Sequence, residues 1–168
     1  KQKIIFFEDN CESLGSKIGK IKAGKFGDIS THSFFYSHHI STMEGGMCVT
    51  DNFELYCILK SLRAHGWSRD LPKINTLTKS LSKSKQAEYN FVLPGYNVRP
   101  GEINAAIGIE QLKKSDEWVK RRKILVTNYD DAFQSIEQLY PQEHFEDDGY
   151  SYHLYIIQCE NRRKLYDY

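Results

Sequence analysis

The chain has 168 residues, with 23 lysines and arginines against 22 aspartates and glutamates and a net charge of +1. This balance gives no basis for a nucleic-acid or anionic-membrane partner, and no apolar run approaches the roughly 20 residues of a membrane-spanning helix. Hydrophobic residues make up 40% of the chain, which is enough for a globular core. The four cysteines are scattered without a CxxC pair, so we interpret them as free thiols and expect a cytoplasmic protein.

The first third of the chain is predicted to form strands. Residues 4–7 are a short apolar run, predicted as a buried strand that ends at the carboxylates of Glu8 and Asp9. Residues 29–35 and 46–50 predict two further strands. Because ligand sites of α/β sheets lie at the carboxyl ends of strands, these carboxylates mark a candidate site.

Helical spacing dominates the remainder of the chain. Residues 53–64 predict an amphipathic helix, and residues 68–84 are polar and predict a long loop. A second helix is predicted to begin at residue 100, and residues 118–136 are also predicted to be helical. Residues 152–158 return to strand character. Strands followed by helices indicate an α/β protein, and the abrupt ends of the chain lead us to expect part of a longer protein.

Three motifs occur in order between residues 4 and 112. Residues 8–15 read EDNCESLG, residues 33–46 read SFFYSHHISTMEGG, and residues 95–108 begin with GYNVR and end with EINAAIG. Together they resemble the motifs of the DegT/DnrJ/EryC1/StrS family of sugar aminotransferases, which are fold-type I enzymes that use pyridoxal 5′-phosphate (PLP). The resemblance implies an aspartate-aminotransferase-like α/β fold. Residues 1–114 would be part of a large PLP-binding domain, and residues 115–168 a connecting helix and the start of a small α/β domain.

The second motif departs from the family pattern at its sixth position. The family carries there the lysine that binds PLP as a Schiff base, whereas this chain has His38. An imidazole cannot form that bond but can move protons near neutral pH. Adjacent side chains on an extended segment point in opposite directions, so we assign the role to His38 and not to His39. The histidine, with Glu12 in place of the usual glutamine, resembles the branch of nucleotide-sugar 3-dehydratases. The stretch after His65 has no cysteine cluster, which favours the type without an iron–sulfur cluster.

The resemblance assigns four residues to the cofactor. Asp9 is expected to pair with the pyridine nitrogen and Glu12 to lie near the phenolic oxygen. Ser33 is expected to bind the phosphate, and Asn97 to reach the phosphate of the neighbouring subunit, which implies a homodimer with shared active sites. A strand-end cap for Asp9, a solvated carboxylate for Glu12 and a turn residue for Asn97 remain alternatives from the residues alone.

The remaining site residues concern catalysis and substrate. The resemblance makes His38 the catalytic base, with His65 as an assisting catalytic residue. Ser37 and Arg99 are expected to bind substrate, Arg99 through a planar guanidinium suited to a carboxylate, with a surface ion pair as the alternative. A metal site built on the histidines around His38 is not predicted, because no carboxylate or cysteine completes a regular ligand spacing there.

The resemblance implies a PLP- and pyridoxamine-phosphate-dependent 3-dehydratase. It would remove the C3 hydroxyl of a nucleotide-linked 4-keto-6-deoxyhexose, GDP-4-keto-6-deoxymannose being the first candidate, with His38 as base and L-glutamate as amino donor. This reaction belongs to deoxysugar and O-antigen biosynthesis for lipopolysaccharide. Two alternatives stay open: a nucleotide-sugar aminotransferase that aminates C4, and a catalytically silent protein that binds PLP or a sugar nucleotide.

Overall fold

A three-stranded sheet organises the N-terminal part of the computed structural model, which describes residues 4–79, 81, 89–144 and 149–168. Strand β1 (Phe7–Asp9) pairs in parallel with β4 (Ile29–Ser33), and β4 pairs antiparallel with β5 (Gly46–Val49). The carboxyl ends of β1 and β4 therefore meet at one edge of the sheet. Gly46 lies opposite Ser33 at the same edge.

The first predicted strand is displaced along the chain. Ile4 and Ile5 are 86% and 69% exposed, so the expectation of a buried strand over residues 4–7 is wrong. The residue of β1 that points inward is Glu8, which is 9% exposed. A strand alternates its side chains between two faces. The carboxylate of Glu8 can face the interior because a loop supplies the hydrogen bonds that this carboxylate needs.

A small hairpin lies between β1 and β4. Its strands are β2 (Lys17–Ile18) and β3 (Ile21–Lys22), which pair antiparallel. Gly19 occupies the turn with φ +57°, a conformation that glycine adopts readily. The chain then returns through residues 23–28 to enter β4.

Helix α1 (Phe53–Leu62) begins where the amphipathic helix is predicted and ends two residues before the predicted end at residue 64. The side chain of Asn52 caps it, because its oxygen accepts hydrogen bonds from the backbone N–H groups of Glu54 and Leu55. After the helix, Gly66 adopts φ +81°, and the backbone of Leu93 packs closely against it. The predicted loop over residues 68–84 shows turns where it is described, and residues 80 and 82–84 lie outside the described residues.

Two helices and a second small sheet follow. Helix α2 (Glu102–Leu112) and helix α3 (Ser115–Phe133) agree with the predicted helical segments. The strand predicted over residues 152–158 is wrong in extent, since only its end joins β7 (Ile157–Cys159), which pairs antiparallel with β6 (Leu139–Pro141). The chain ends with the short helix α4 (Arg162–Asp167). No helix in the described ranges is long and apolar enough to span a membrane.

Residues 150–156 are kept out of the second sheet by contacts with helix α3 and with the segment after β1. Arg122 on α3 donates from Nη1 to the carbonyl oxygens of Tyr152 and His153, at 2.9 Å each. The Ser16 side chain bonds the Ser151 hydroxyl at 2.9 Å and accepts from the Ser151 N–H at 3.1 Å. These bonds use backbone groups that a strand would offer to a neighbour, and they bring the C-terminal segment to the edge of the first sheet.

Candidate active site

Asp9 lies at the carboxyl end of β1 with its carboxylate exposed. Its Oδ1 accepts hydrogen bonds from the backbone N–H of Cys11 at 3.1 Å and from the Thr31 hydroxyl at 3.4 Å. The hydrogen bonds from Cys11 are the main cause that lowers the pKa of Asp9, with the Thr31 hydroxyl and the nearby His38 acting in the same direction. Asp9 therefore carries a fixed negative charge at neutral pH.

The imidazole of His38 is bound to the same short segment. Its Nδ1 lies 2.7 Å from the carbonyl oxygen of Cys11. A carbonyl oxygen only accepts hydrogen bonds, so Nδ1 must carry the proton and Nε2 of the neutral ring is free to act as a base. The Cys11 peptide thus connects the carboxylate of Asp9, through its N–H, to the imidazole of His38, through its carbonyl oxygen.

His39 has a different environment from His38. It is 4% exposed, and its Nε2–H donates to the carbonyl oxygen of Ser151 at 3.1 Å. Burial lowers the pKa of His39, and the hydrogen bond to Ser151 opposes this only in part. The expectation of an extended segment is wrong, since residues 35–40 form turns and bends. The two rings bond different backbone carbonyl oxygens, His38 that of Cys11 and His39 that of Ser151.

Two of the three serines of the motif, Ser33 and Ser37, lie in or beside this turn. The hydroxyl oxygen of Ser33 accepts a hydrogen bond from the backbone N–H of Phe35 at 3.2 Å, which fixes the start of the turn. Ser37 is exposed in the turn next to His38, and Glu12 is exposed after β1. The sheet edge therefore brings together Asp9, Ser33 and the segment that carries His38.

Two other predicted site residues, His65 and Arg99, pack against Trp67 instead. The His65 ring centroid lies 5.2 Å from that of Trp67, and the Arg99 guanidinium lies over the same indole at 5.6 Å. Asn97 pairs with Ala64 through an isolated antiparallel bridge. His65 adopts φ +61°, a left-handed conformation that is uncommon outside glycine. Arg99 thus packs on an aromatic face, and no ion pair joins it to a described residue.

Glu8 is a structural residue that the sequence did not reveal. Its carboxylate accepts hydrogen bonds from the backbone N–H groups of Gly24, Phe26 and Gly27 at 2.6–2.7 Å. Burial would raise the pKa of Glu8, but these donors together with Asn10 outweigh it and lower the pKa. The sequence feature that could have indicated this loop and its role is the pair of glycines, Gly24 and Gly27. A Cβ on Gly27 would lie 2.7 Å from the carbonyl oxygen of Phe6.

His153 was also missed. Its ring stacks on that of His38 with centroids 4.9 Å apart and planes 20° from parallel, and its centroid lies 5.5 Å from that of His39. Nothing in local sequence periodicity can link residues so far apart in the chain. The stack exists because Arg122 and Ser16 hold the backbone around His153 against the sheet edge.

This α/β arrangement, with an ionised carboxylate and an oriented imidazole at the carboxyl edge of parallel strands, agrees with the family that the motifs indicate. The family model described as DegT/DnrJ/EryC1/StrS aminotransferase family matches residues 1–167. The chain belongs to this family, and the family prediction is confirmed.

Two curated relatives and one solved structure show where in the family the similarity is high. The chain is 49% identical over 134 residues to the GDP-4-keto-6-deoxy-D-mannose 3-dehydratase of Yersinia pseudotuberculosis, covering 79% of this chain and 34% of the relative. It is 47% identical over 159 residues to the enzyme of that name from Escherichia coli O55:H7, covering 94% of this chain and 41% of the relative. The chain thus spans well under half the length of these relatives.

The solved structure is a GDP-4-keto-6-deoxymannose 3-dehydratase with a trapped PLP-glutamate geminal diamine. It superposes with a TM-score of 0.89 at 44% identity, covering 99% of this chain and 44% of that chain. The predicted aminotransferase-like α/β fold is confirmed by this likeness.

Proposed function

We propose that the protein containing this chain is a PLP-dependent nucleotide-sugar 3-dehydratase. It removes the C3 hydroxyl of a GDP-linked 4-keto-6-deoxyhexose, and L-glutamate serves as the amino donor. The names of the two relatives support the GDP-sugar, and the trapped adduct in the solved structure supports PLP and glutamate. The observation that carries the proposal is the hydrogen-bonded connection from Asp9 through Cys11 to His38.

The residues at the sheet edge fit the cofactor. The lowered pKa of Asp9 keeps its carboxylate charged, which suits a protonated pyridine nitrogen. When bound, the cofactor supplies an electron sink for the charge left on an adjacent carbon after proton removal. Ser33, the last residue of β4, is proposed to bind the phosphate, with Asn97 contributing to the neighbouring subunit's site and Glu12 near the phenolic oxygen.

His38 is proposed to take and return the proton. Its Nδ1–H is held by the Cys11 carbonyl, so Nε2 is the basic atom. A histidine at this place leaves no lysine amine to compete for the cofactor, which favours loss of the C3 hydroxyl over transfer of an amino group to the sugar. Ser37 and Arg99 are proposed to bind substrate and His65 to assist.

The wider assignments are proposals of the same kind. Residues 1–114 are assigned to the PLP-binding domain, and residues 115–168 to the connecting helix and the start of the small domain. Shared phosphate binding through Asn97 implies a homodimer. All four cysteines are free thiols in the structure, which supports a reducing compartment such as the cytoplasm. The pathway is deoxysugar synthesis for lipopolysaccharide O-antigen.

The test is mass spectrometry of the products of the intact protein with GDP-, CDP- and dTDP-linked 4-keto-6-deoxy sugars, PLP and glutamate. We expect a 3-deoxy product from the GDP sugar, and no such product from the His38→Asn variant, which should still bind PLP. The matched control is His144→Asn, since His144 pairs with Asp130 away from the sheet edge. A product that retains nitrogen at C4 would instead identify an aminotransferase. Absence of any conversion of PLP by glutamate would identify a silent binding protein.

A further inference from the structure

The stacked pair of His38 and His153 suggests a role for a residue outside the three motifs. The ring centroids lie 4.9 Å apart and the ring planes are 20° from parallel, so the two rings form an offset stack. The hydrogen bond from Nδ1 to Cys11 fixes the tautomer of His38, but a single bond leaves the ring free to rotate about it. A flat neighbour on the ring face removes that rotation, so the two contacts together define both the basic atom and its direction.

The backbone that carries His153 is well restrained. The guanidinium of Arg122 donates to the carbonyl oxygens of Tyr152 and His153, at 2.9 Å each. The Ser151 carbonyl accepts from His39 at 3.1 Å, and Ser151 itself is 1% exposed. A stacking ring on a restrained backbone can orient its partner ring, whereas a stacking ring on a loose loop would move with its partner.

Groups from three segments of the chain influence the charge of His153. His38 and His39 face it from the turn after β4, Arg122 from α3, and Glu12 from the segment after β1. Burial is the main cause that lowers the pKa of His153, His38 and Arg122 act in the same direction, and Glu12 opposes them. Its Nδ1 is buried without a hydrogen-bond partner among the described residues, which an unprotonated ring nitrogen tolerates better than an N–H.

We propose that His153 is a positioning residue for His38: its neutral ring stacks on the imidazole and fixes the plane in which Nε2 takes and returns a proton. The inference rests on the proposed role of His38 as the base. His153 needs its flat face for this task and not a proton, so another flat ring can replace it.

The first test is imidazole NMR of the intact protein without cofactor, with folding checked by circular dichroism. We expect a protected Nδ1–H signal of His38 in the wild type and in His153→Phe. In His153→Ala its exchange with water should be about tenfold faster or more. Tyr166→Ala is the control, because it removes a ring that is 85% exposed on α4, and it should leave the signal unchanged. As the pH falls through the lowered pKa of His153, the wild type should lose this signal while His153→Phe retains it.

The second test is kinetic. In His153→Ala, kcat for C3 deoxygenation should fall about 10- to 100-fold while KM for the sugar nucleotide stays within about twofold, because misorientation affects the reaction more than binding. His153→Phe should recover most of kcat. A folded His153→Ala variant with an unchanged signal and kcat would overturn the proposal, as would a Phe variant as impaired as the Ala variant. Deoxygenation by His38→Asn would refute the proposed role of His38 as the base and leave the NMR result on the stack standing.

Discussion

The carbonyl oxygen of Cys11 accepts a 2.7 Å hydrogen bond from Nδ1 of His38. The same peptide donates its N–H to Asp9, so one backbone unit orients a base and a carboxylate. Cys11 is part of the first motif and His38 part of the second, and they meet because β1 and β4 run parallel and end at the same edge. The backbone of Cys11 makes both bonds, so its side chain is not needed for them.

Asp9→Asn should impair catalysis by removing the charge that pairs with the cofactor's pyridine nitrogen. We expect kcat to fall about 100-fold or more. The substitution removes a fixed negative charge from the place where charge develops in the transition state. The measurement is steady-state product formation together with a PLP absorbance titration. Asp51→Asn is the control, since Asp51 is exposed near the start of α1. Equal rates in the two variants would contradict the assignment of Asp9.

Glu8→Gln should destabilise the protein without touching the proposed chemistry. The glutamine amide has one oxygen where the carboxylate offers two, so at least one backbone donor among Gly24, Phe26 and Gly27 loses its partner. We expect the free energy of unfolding to fall by about 1–3 kcal/mol. Urea denaturation at pH 7 measures it, with Glu137→Gln as an exposed control. Identical urea midpoints would contradict the role of this carboxylate.

The stability contributed by Glu8 should also depend on pH. Its pKa is lowered in the folded state, so the contribution is fully present above the unfolded-state pKa of about 4.3. It is lost as the pH falls through the folded-state pKa. The wild type should therefore lose more stability than Glu8→Gln between neutral pH and pH values below that window. Parallel stability curves for the two proteins would refute this prediction.

His39→Asn should affect stability more than the reaction, the reverse of His38→Asn. The buried ring of His39 donates to Ser151, and losing that bond should cost about 1–3 kcal/mol of unfolding free energy. Burial lowers its pKa, so stability falls as the pH drops below the unfolded-state value of about 6.5. The variant should show a weaker loss there. Thermal melts at several pH values and product assays compare the two variants. If His38→Asn is less stable and more active than His39→Asn, the prediction is wrong.

Gly66→Ala should prevent folding of the segment that carries His65 and Asn97. A Cβ on Gly66 would lie 1.7 Å from the carbonyl oxygen of Leu93, and φ is +81°. We expect a loss of more than about 3 kcal/mol, or no soluble protein. Gly19→Ala is the matched control, because Gly19 also has positive φ but nothing within 4 Å of the added Cβ, so it should cost only about 1–2 kcal/mol. Soluble yield and melting temperature are measured for both variants. Equal values for Gly66→Ala and Gly19→Ala would contradict the prediction.

Local patterns accounted for the elements whose stability is local. The spacing over residues 53–64 and the cap at Asn52 predict α1 because helix hydrogen bonds and capping join near neighbours. The strands β4 and β5 follow from short alternating or apolar runs. The strand predicted over residues 152–158 fails for the opposite reason: distant Arg122 and Ser16 take the backbone groups that pairing would use.

The sequence by itself determined the family, the α/β class and the candidate residues, because motif spacing along strands and their ends is written in the chain. Only the tertiary structure decided which of those residues meet. It separated Asp9, Ser33 and His38 at the sheet edge from the group around Trp67. It also turned Glu8 inward and stacked His153 on His38. Such contacts depend on the packing of segments far apart in the chain, and no local periodicity encodes them.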